Sequence, residues 1–477
     1  MFLENHREKE SIHLSVTALS AAATTPCPPV TGEEACIMTQ QGVLQNDPQM
    51  KLRWYVLICL IFSMMAVANS QYAWTLFTGP LQKEFKVSLA IVQVTLTVFI
   101  LIQTWLVPFE NYLVDKLGPR WIMTIAGLIV GISWVWSSKA TSISELYVAY
   151  GLGGVGVGAV YGASIGTAAK WFPDRRGLTA GLVAGSYGFG TLFTVLPIQW
   201  TIDSSGWRQA FFTFGIIQAV IVMVASQWVR APQLGWKPVG WVPKTTGTGL
   251  IQSARNYTPG EMMHTPPFYI LYAMMTMVAF GGMMVTAQLS PIGRSYGYDK
   301  VTILFTSAVS LALMLDRLLN GFTRPMWGWI SDHIGRYNTM ALAFTLEAIA
   351  ISIFAATINT PIMFVIMSGL TFFAWGEIYS LFPAAITDIY GTKYAATNYG
   401  IQYTSKGVAT FLAAPGAAWL MERTGSWLPV LYAAVAMDLC AAALAWFWLK
   451  PLVVRLLNKN ATEDARDLKV GVAPKGH

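Results

Sequence analysis

Seven ionisable residues interrupt stretches that are otherwise apolar enough to be buried: Asp316, Arg317, Arg324, Glu347, Glu377, Lys406 and Asp438. A charge at the centre of a lipid bilayer costs roughly 2.5–3.5 kcal/mol on insertion scales, so each needs a counter-charge, water or a ligand. Asp316 stands beside Arg317, and that pair can neutralise itself. Arg317 and Arg324 are about 700° of helix apart and therefore share a face. Arg324 and Lys406 have no comparable neighbour apart from Glu377. Two arrangements are open to them. Glu377 can neutralise one, or both cations can face one cavity and hold a small dianion, the guanidinium as a planar fork and the ammonium as a point charge. The two can also alternate, with Glu377 a charge modulator that releases a cation when an anion arrives. Glu347 and Asp438 are given no role.

Aromatic and amide side chains stand at similar depth: Gln71, Tyr72 and Trp74, then Gln93, Tyr161, Trp375, Tyr379 and Tyr403. An aromatic box with a few hydroxyl and amide groups suits a flat acid of one or two carbons and leaves little room for a sugar. Any one of these rings can equally be packing.

Positioning such groups is a matter of membrane helices. The chain has 477 residues, 54% hydrophobic and 12% charged, against about 25% charged in soluble domains. Its apolar windows are near 20 residues, enough to cross a hydrocarbon core as helix, and ten-residue alternating segments typical of barrels do not occur. The net charge of +7 is scattered through loops rather than stacked on one face, which argues against nucleic acid. Cys27, Cys36, Cys59 and Cys440 lack metal-ligand spacing, and the histidines (His6, His13, His264, His333, His477) fall in tails or loops. No cofactor, metal or catalytic residue is expected, so a membrane enzyme or sensor is disfavoured.

Residues 1–50 read as a polar tail rather than a signal peptide. Six spans are expected at 54–77, 89–110, 121–138, 146–167, 178–200 and 208–229, within an N-terminal bundle over 51–229. The Pro, Gly and basic residues of 230–266 mark a linker, in which Thr258-Pro-Gly-Glu261 fits a capping box. Six more spans, at 267–289, 302–326, 339–357, 361–384, 396–420 and 427–449, make a C-terminal bundle over 267–450, followed by a tail over 451–477. The expected fold is all-α integral membrane, twelve transmembrane helices in two six-helix bundles. Lys and Arg are concentrated on the side of the termini, which places both termini in the cytoplasm.

The halves repeat. Asn111-x-x-x-Asp115-x-x-Gly118-x-Arg120 follows the second span, and Gly328-x-x-x-Asp332-x-x-Gly335-Arg336 follows the eighth. Gly151-x-Gly153-x-x-Gly156 is a literal dinucleotide fingerprint, but it lies within an apolar helix, where a nucleotide site has no strand to open from. Gly154, Gly158 and Gly162, with Gly181, Gly185 and Gly188, read better as small-residue faces for close helix approach. Lys170 to Gly177 forms a basic turn, read first as a topological anchor.

The repeated acid–glycine–base segments resemble those of the major facilitator superfamily, where they latch the cytoplasmic ends of the halves. Asn111 departs from the usual glycine, and looser packing is expected of that copy. Further segments resemble the oxalate/formate antiporter branch of this superfamily: QYAWTLF at 71–77, QV at 93–94, VYG at 160–162, KWFPDRRG at 170–177, GEM at 260–262, NGFTRPMWGWISD at 320–332, WGEIYSLFP at 375–383 and NYGIQYTSKG at 398–407. The resemblance implies that Arg324 and Lys406 bind substrate carboxylates. It places Gln71, Tyr72, Gln93, Tyr161, Trp375, Tyr379 and Tyr403 around the cavity. It implies oxalate:formate exchange by alternating access in the plasma (inner) membrane, by a monomer whose partners are small carboxylates and the lipid bilayer. Glu377 and Asp316–Arg317 depart from the family pattern, which keeps a proton-coupled monocarboxylate symporter as the alternative.

Overall fold

A computed structural model describes residues 48–458, apart from 173, 175, 234–235, 237, 239–254 and 392–393. The tails expected at 1–50 and 451–477 lie largely outside these described residues. The first half begins with α1 (Pro48–Val67), the single turn α2 (Asn69–Tyr72) and α3 (Trp74–Phe85). It continues through α4 (Leu89–Trp105), α5 (Val107–Leu117), α6 (Pro119–Lys139), α7 (Ile143–Trp171), α8 (Arg176–Phe189) and α9 (Val195–Ser226). After α10 (Pro259–Met263) come α11 (Pro266–Ser295), α12 (Ala308–Ile334), α13 (Arg336–Thr357), α14 (Pro361–Trp375), α15 (Ile378–Tyr390), α16 (Ala395–Phe411), α17 (Ala417–Thr424) and α18 (Leu428–Ala443). The strands β1 (Thr302–Ile303) and β2 (Thr306–Ser307) pair as a small antiparallel hairpin before α12.

Among the described residues, eight helices are long and apolar enough to cross a membrane, or nine if the α4–α5 pair, bent by 45°, counts as one span. The remaining expected spans are α8, α12 and the α16–α17 pair. α8 is too short at 14 residues, while α12 carries Asp316, Arg317, Asn320 and Arg324, and α16 carries Asn398, Gln402 and Lys406, which lower their hydropathy.

Several expected spans are broken rather than continuous. The second bends at Leu106, where Pro108 removes a backbone donor and its ring crowds the preceding turn. The eleventh relaxes into a π turn over Leu412–Gly416, around Pro415. The tenth only loosens at Gly376–Glu377, between α14 and α15, where both residues keep helical angles and the span runs on from Pro361 to Tyr390. The expected fifth span, 178–200, runs as α8 to Phe189, through hydrogen-bonded turns over 190–194 and into the first part of α9, and the helix that follows Gly206 (φ 86°) is the expected sixth. The eighth starts at Ala308 rather than 302 and runs on to Ile334, so the glycine–acid motif is part of the helix.

The repeat is structural as well as sequential. Gly118 and Gly335 each cap a helix with positive φ, 81° and 89°, a conformation that excludes side chains with a Cβ at little cost only in glycine. Arg120 then donates to Gln227 Oε1 at 2.8 Å, and Arg336 pairs with Asp388 at 3.1 Å and also donates to Ser331. These partners lie in the same half as each arginine. The side chains of Asp115 and Asp332, the acids of the expected latch, lie outside the described residues.

Asn111 does not loosen its copy. It packs on Gly162, where a Cβ would stand 2.2 Å from its Oδ1. Gly154 and Gly158 likewise admit α4 and Glu110, so the glycine run of α7 is a packing face. Thr258 caps α10 with the reciprocal Glu261 bonds of a capping box. The donated Thr258 amide holds the Glu261 carboxyl below the ordinary carboxylate range.

Within the first half α6 packs on α7 and α9, and α1 on α8 and α9; in the second, α12 packs on α14 and α13 on α18. The halves meet along α8–α12, α4–α16 and α3–α11. At α8–α12 the approach is backbone to backbone: a Cβ on Gly188 would lie 3.0 Å from Gly321, and one on Gly321 would lie 2.4 Å from the Phe189 ring.

Candidate functional site

The breaks in the helices put polar side chains at the junction of the halves. From α16, Lys406 points its Nζ to Gln71 Oε1 at 2.8 Å and donates to the Tyr403 hydroxyl at 3.2 Å. Gln71 sits on α2, the short turn between α1 and α3, so the contact bridges the halves. From α12, Arg324 donates to the Ala184 carbonyl on α8, to Tyr72 Oη at 3.3 Å and to Asn320 Oδ1 at 3.3 Å. Both cations are about 1% exposed, and neither has a carboxylate in ion-pairing range among the described residues.

Aromatic rings supply what carboxylates do not. The Tyr379 ring lies 4.3 Å from the Arg324 guanidinium carbon and 5.8 Å from Lys406 Nζ, so one ring serves both cations. Tyr403 stacks on Tyr161 at 5.6 Å and 10° between planes, and Tyr161 meets Tyr187 edge-on. Trp375 stands one layer behind, edge-on to Tyr379, with its ring against Gly282, where a Cβ would fall 2.1 Å away. Arg324, Lys406, Gln71, Tyr72, Tyr161, Tyr379 and Tyr403 are therefore together, with Trp375 in support.

Gln93 is not among them. It accepts from Trp74 Nε1 at 3.0 Å and donates to Ala287 carbonyl at 2.7 Å and Gln288 Oε1 at 3.1 Å, a polar tie between α3, α4 and α11. Its amide is fully used there. Glu377 is also elsewhere. It makes no ion pair with Arg324 or Lys406, and neither of its carboxylate oxygens has a hydrogen-bond partner among the described residues; it lies within electrostatic reach of two other acids, Glu347 and Asp438. Neutralisation of a cation by Glu377 is not the arrangement seen.

Arg317 keeps its expected partner at the limit of contact, Asp316 Oδ2 at 3.9 Å. Its guanidinium is sandwiched between the Tyr72 ring at 4.1 Å and the Phe372 ring at 4.3 Å. Tyr72 thus takes Arg317 on its face and Arg324 at its hydroxyl, which realises the shared helix face of the two arginines.

The site also holds residues that sequence reasoning passed over. Tyr187 gives its hydroxyl proton to Gln71 and accepts from Gln103 at 3.2 Å. Asn320 bridges Arg324 and Tyr72. Tyr399 packs on Tyr403 at 5.7 Å. Tyr399, Tyr403 and Lys406 follow one another at helical spacing, a signal that was available. Tyr187 had none, being flanked by Gly and Ser on a helix with no other ionisable group nearby.

Residues 56–315 and 306–474 match the Major Facilitator Superfamily. The chain belongs to the major facilitator superfamily. It is a multi-pass membrane protein of a transporter family, which accounts for the duplicated glycine-capped segments and for a polar site at the junction of two halves. It is 34% identical over 83% of its length, and 91% of the relative's, to the oxalate:formate antiporter of Oxalobacter formigenes. More distant relatives include an uncharacterized MFS-type transporter of Escherichia coli, 23% identical over 76% of this chain and 86% of that one. Monocarboxylate transporter 12-B of Danio rerio is 21% identical over 75% of this chain and 78% of its own.

Proposed function

We propose that this facilitator exchanges small carboxylates across the membrane by alternating access, oxalate against formate. The observation that carries the reading is the pair of sealed cations: Arg324 and Lys406 share the Tyr379 ring, are about 1% exposed, and are met by neutral oxygens alone, with Arg324 Nε left unpartnered among the described residues. Neutral dipoles hold two buried positive charges poorly, so a dicarboxylate bridging them gains the Coulomb energy that Gln71, Tyr72 and Asn320 cannot supply. The likeness to an oxalate:formate antiporter supports the same substrate. In the proposed cycle, one carboxylate takes the Arg324 fork from Tyr72 and Asn320, and the other takes Lys406 from Gln71. The bundles 51–229 and 267–450, joined by the 230–266 linker, then rock about this point, with α8 and α12 sliding on their glycines. Asp115, Gly118 and Arg120, with Gly328, Asp332, Gly335 and Arg336, steady the cytoplasmic ends. We place the protein in the plasma (inner) membrane as a monomer with both termini cytoplasmic.

The test is uptake of labelled oxalate into proteoliposomes preloaded with formate, with oxalate or with buffer alone. Uptake that needs an internal carboxylate and disappears in Lys406→Ala is the expected result. Equal uptake into empty vesicles under an imposed inward proton gradient would instead favour a proton-coupled monocarboxylate symporter, a reading that the buried acids of the second half and the monocarboxylate transporter relatives support.

A further inference from the structure

The second half contains a buried cluster that the anion site does not use. Glu347 on α13 and Asp438 on α18 converge on Gly281 of α11: a Cβ there would lie 2.8 Å from Glu347 Oε1 and 3.5 Å from Asp438 Oδ2. Glu377, at the turn between α14 and α15, is within electrostatic reach of both. All three side chains are 0% exposed, and none of their six oxygens has a hydrogen-bond partner among the described residues. An ionised carboxylate in such surroundings lacks both solvent and donors, and three of them repel one another.

The charges on the elements packed around this cluster are turned elsewhere. Arg294 of α11 donates to Leu76 carbonyl, Arg317 and Arg324 of α12 are held at Asp316 and at Ala184 and Tyr72, and Arg336 of α13 pairs with Asp388 of α15. From α16, Lys406 is bound to Gln71. Among the described residues no three His, Cys, Asp or Glu side chains are placed to hold a metal ion, so these acids do not form a cation cage. A proton is the ligand that removes the charge without needing space.

The position of Glu377 ties this cluster to the anion site. Gly376 abuts α12, where a Cβ would stand 2.1 Å from Thr323 Oγ1, and Tyr379, two residues beyond Glu377, carries the ring that faces Arg324 and Lys406. We propose that Glu347, Glu377 and Asp438 form a proton-binding site within the second half, loaded with at least one proton while the anion site is sealed. The helical turn at Gly376–Glu377 passes its state to Tyr379, two residues on. Loading takes a proton from bulk water onto a carboxylate oxygen, and re-exposure of the cluster to water returns it. Only the coupling to transport rests on the proposed exchange of carboxylates; the proton site stands on its own geometry.

The experiment is infrared spectroscopy of the purified full-length protein in detergent, titrated through neutral to alkaline pH in light and heavy water. The expected result is a protonated-carboxyl stretch at neutral pH that shifts on deuteration and loses amplitude in Glu347→Gln, Glu377→Gln and Asp438→Asn. The amides imitate the neutral acids in shape, and the wild-type titration needs no variant. A wild-type protein without that band at neutral pH, or a band that all three substitutions leave intact, overturns the proposal. In proteoliposomes, exchange of labelled oxalate for formate should fall by about tenfold per pH unit above the midpoint of the site, as one required proton is lost. Glu347→Gln should flatten that fall; an unchanged slope in all three variants overturns the coupling. The infrared band together with no oxalate exchange at any pH supports the proton site and overturns the proposed substrate.

Discussion

Two buried clusters of opposite sign lie near the helical turn at Gly376–Glu377, which carries Glu377 to one and Tyr379 to the other. On one side Arg324 and Lys406 bridge the halves and are met by hydroxyls, amides and π-faces; on the other Glu347, Glu377 and Asp438 sit within the second half with no donor at all. No ion pair joins them among the described residues, although pairing would be the simplest way to bury both. Asp316–Arg317 is the one buried acid–base pair of the kind expected, and even there the charges stand 3.9 Å apart, with both Asp316 oxygens lacking a hydrogen-bond donor among the described residues. The contrast teaches that burial alone does not make a site. The cations link the two halves through Gln71, Tyr72 and Ala184, whereas the acids lie within one half.

The largest effect expected is at the cations. Lys406→Ala removes one side of the anion site and should cost roughly 2–5 kcal/mol of substrate binding, enough to bring oxalate uptake to background. Retention of tight oxalate binding would move the anion away from Lys406. Arg324→Lys keeps the charge and discards the fork, so dicarboxylate affinity should weaken by about tenfold, with formate affected less. Equal losses for both substrates would argue against bidentate recognition. These two measurements decide whether the cation cluster is a binding site or a structural one.

Next in size is the glide surface. Gly321→Ala places a methyl about where the Phe189 ring now lies, and overpacking of this kind costs about 1–3 kcal/mol. If exchange carries α8 past α12, the maximal exchange rate should drop while substrate affinity measured by equilibrium binding changes little. A fall in affinity alone would mean that α8–α12 shapes the site rather than the motion.

Glu377→Gln sharpens the comparison from the acidic side. If Glu377 belongs with Glu347 and Asp438, oxalate affinity at fixed pH should stay within about twofold, since a neutral amide replaces an acid that touches neither cation. A clear rise in affinity would return Glu377 to the cations as a competing carboxylate. The smallest effect lies far from both clusters. Thr258→Ala removes the α10 cap and should cost about 1 kcal/mol, read as a lower melting temperature. Glu261, whose carboxyl is held low by the Thr258 amide, contributes above its unfolded pKa, and that contribution fades as pH falls through the lowered folded value. Melting temperatures of wild type and Thr258→Ala should therefore converge in acid.

Much of this was legible in the chain. Membrane helices follow from long apolar windows, and the duplicated Gly118–Arg120 and Gly335–Arg336 segments follow from spacing, because both are local properties of sequence. The cations and tyrosines of the site were legible as well, since a charge in an apolar helix has few explanations. The misplacements share one cause. Gln93 and Gln71 look alike in sequence, yet one is spent on Trp74 and Gln288 and the other meets Lys406. Pro108 and Pro415 announced breaks that a count of apolar windows passes over, whereas Tyr187 gave no sign at all.

By itself, then, the sequence determined the class, the repeat and which residues carry charge into the membrane, because hydropathy and covalent order need no folding to be read. Only the tertiary structure decided the partners. Arg324 finds Ala184 and Tyr72, Lys406 finds Gln71, and Glu377 pairs with neither cation. Each of these choices depends on where a broken helix points its side chains and on which distant helix packs against it, and Coulomb forces act over ångströms in space, not over positions along the chain.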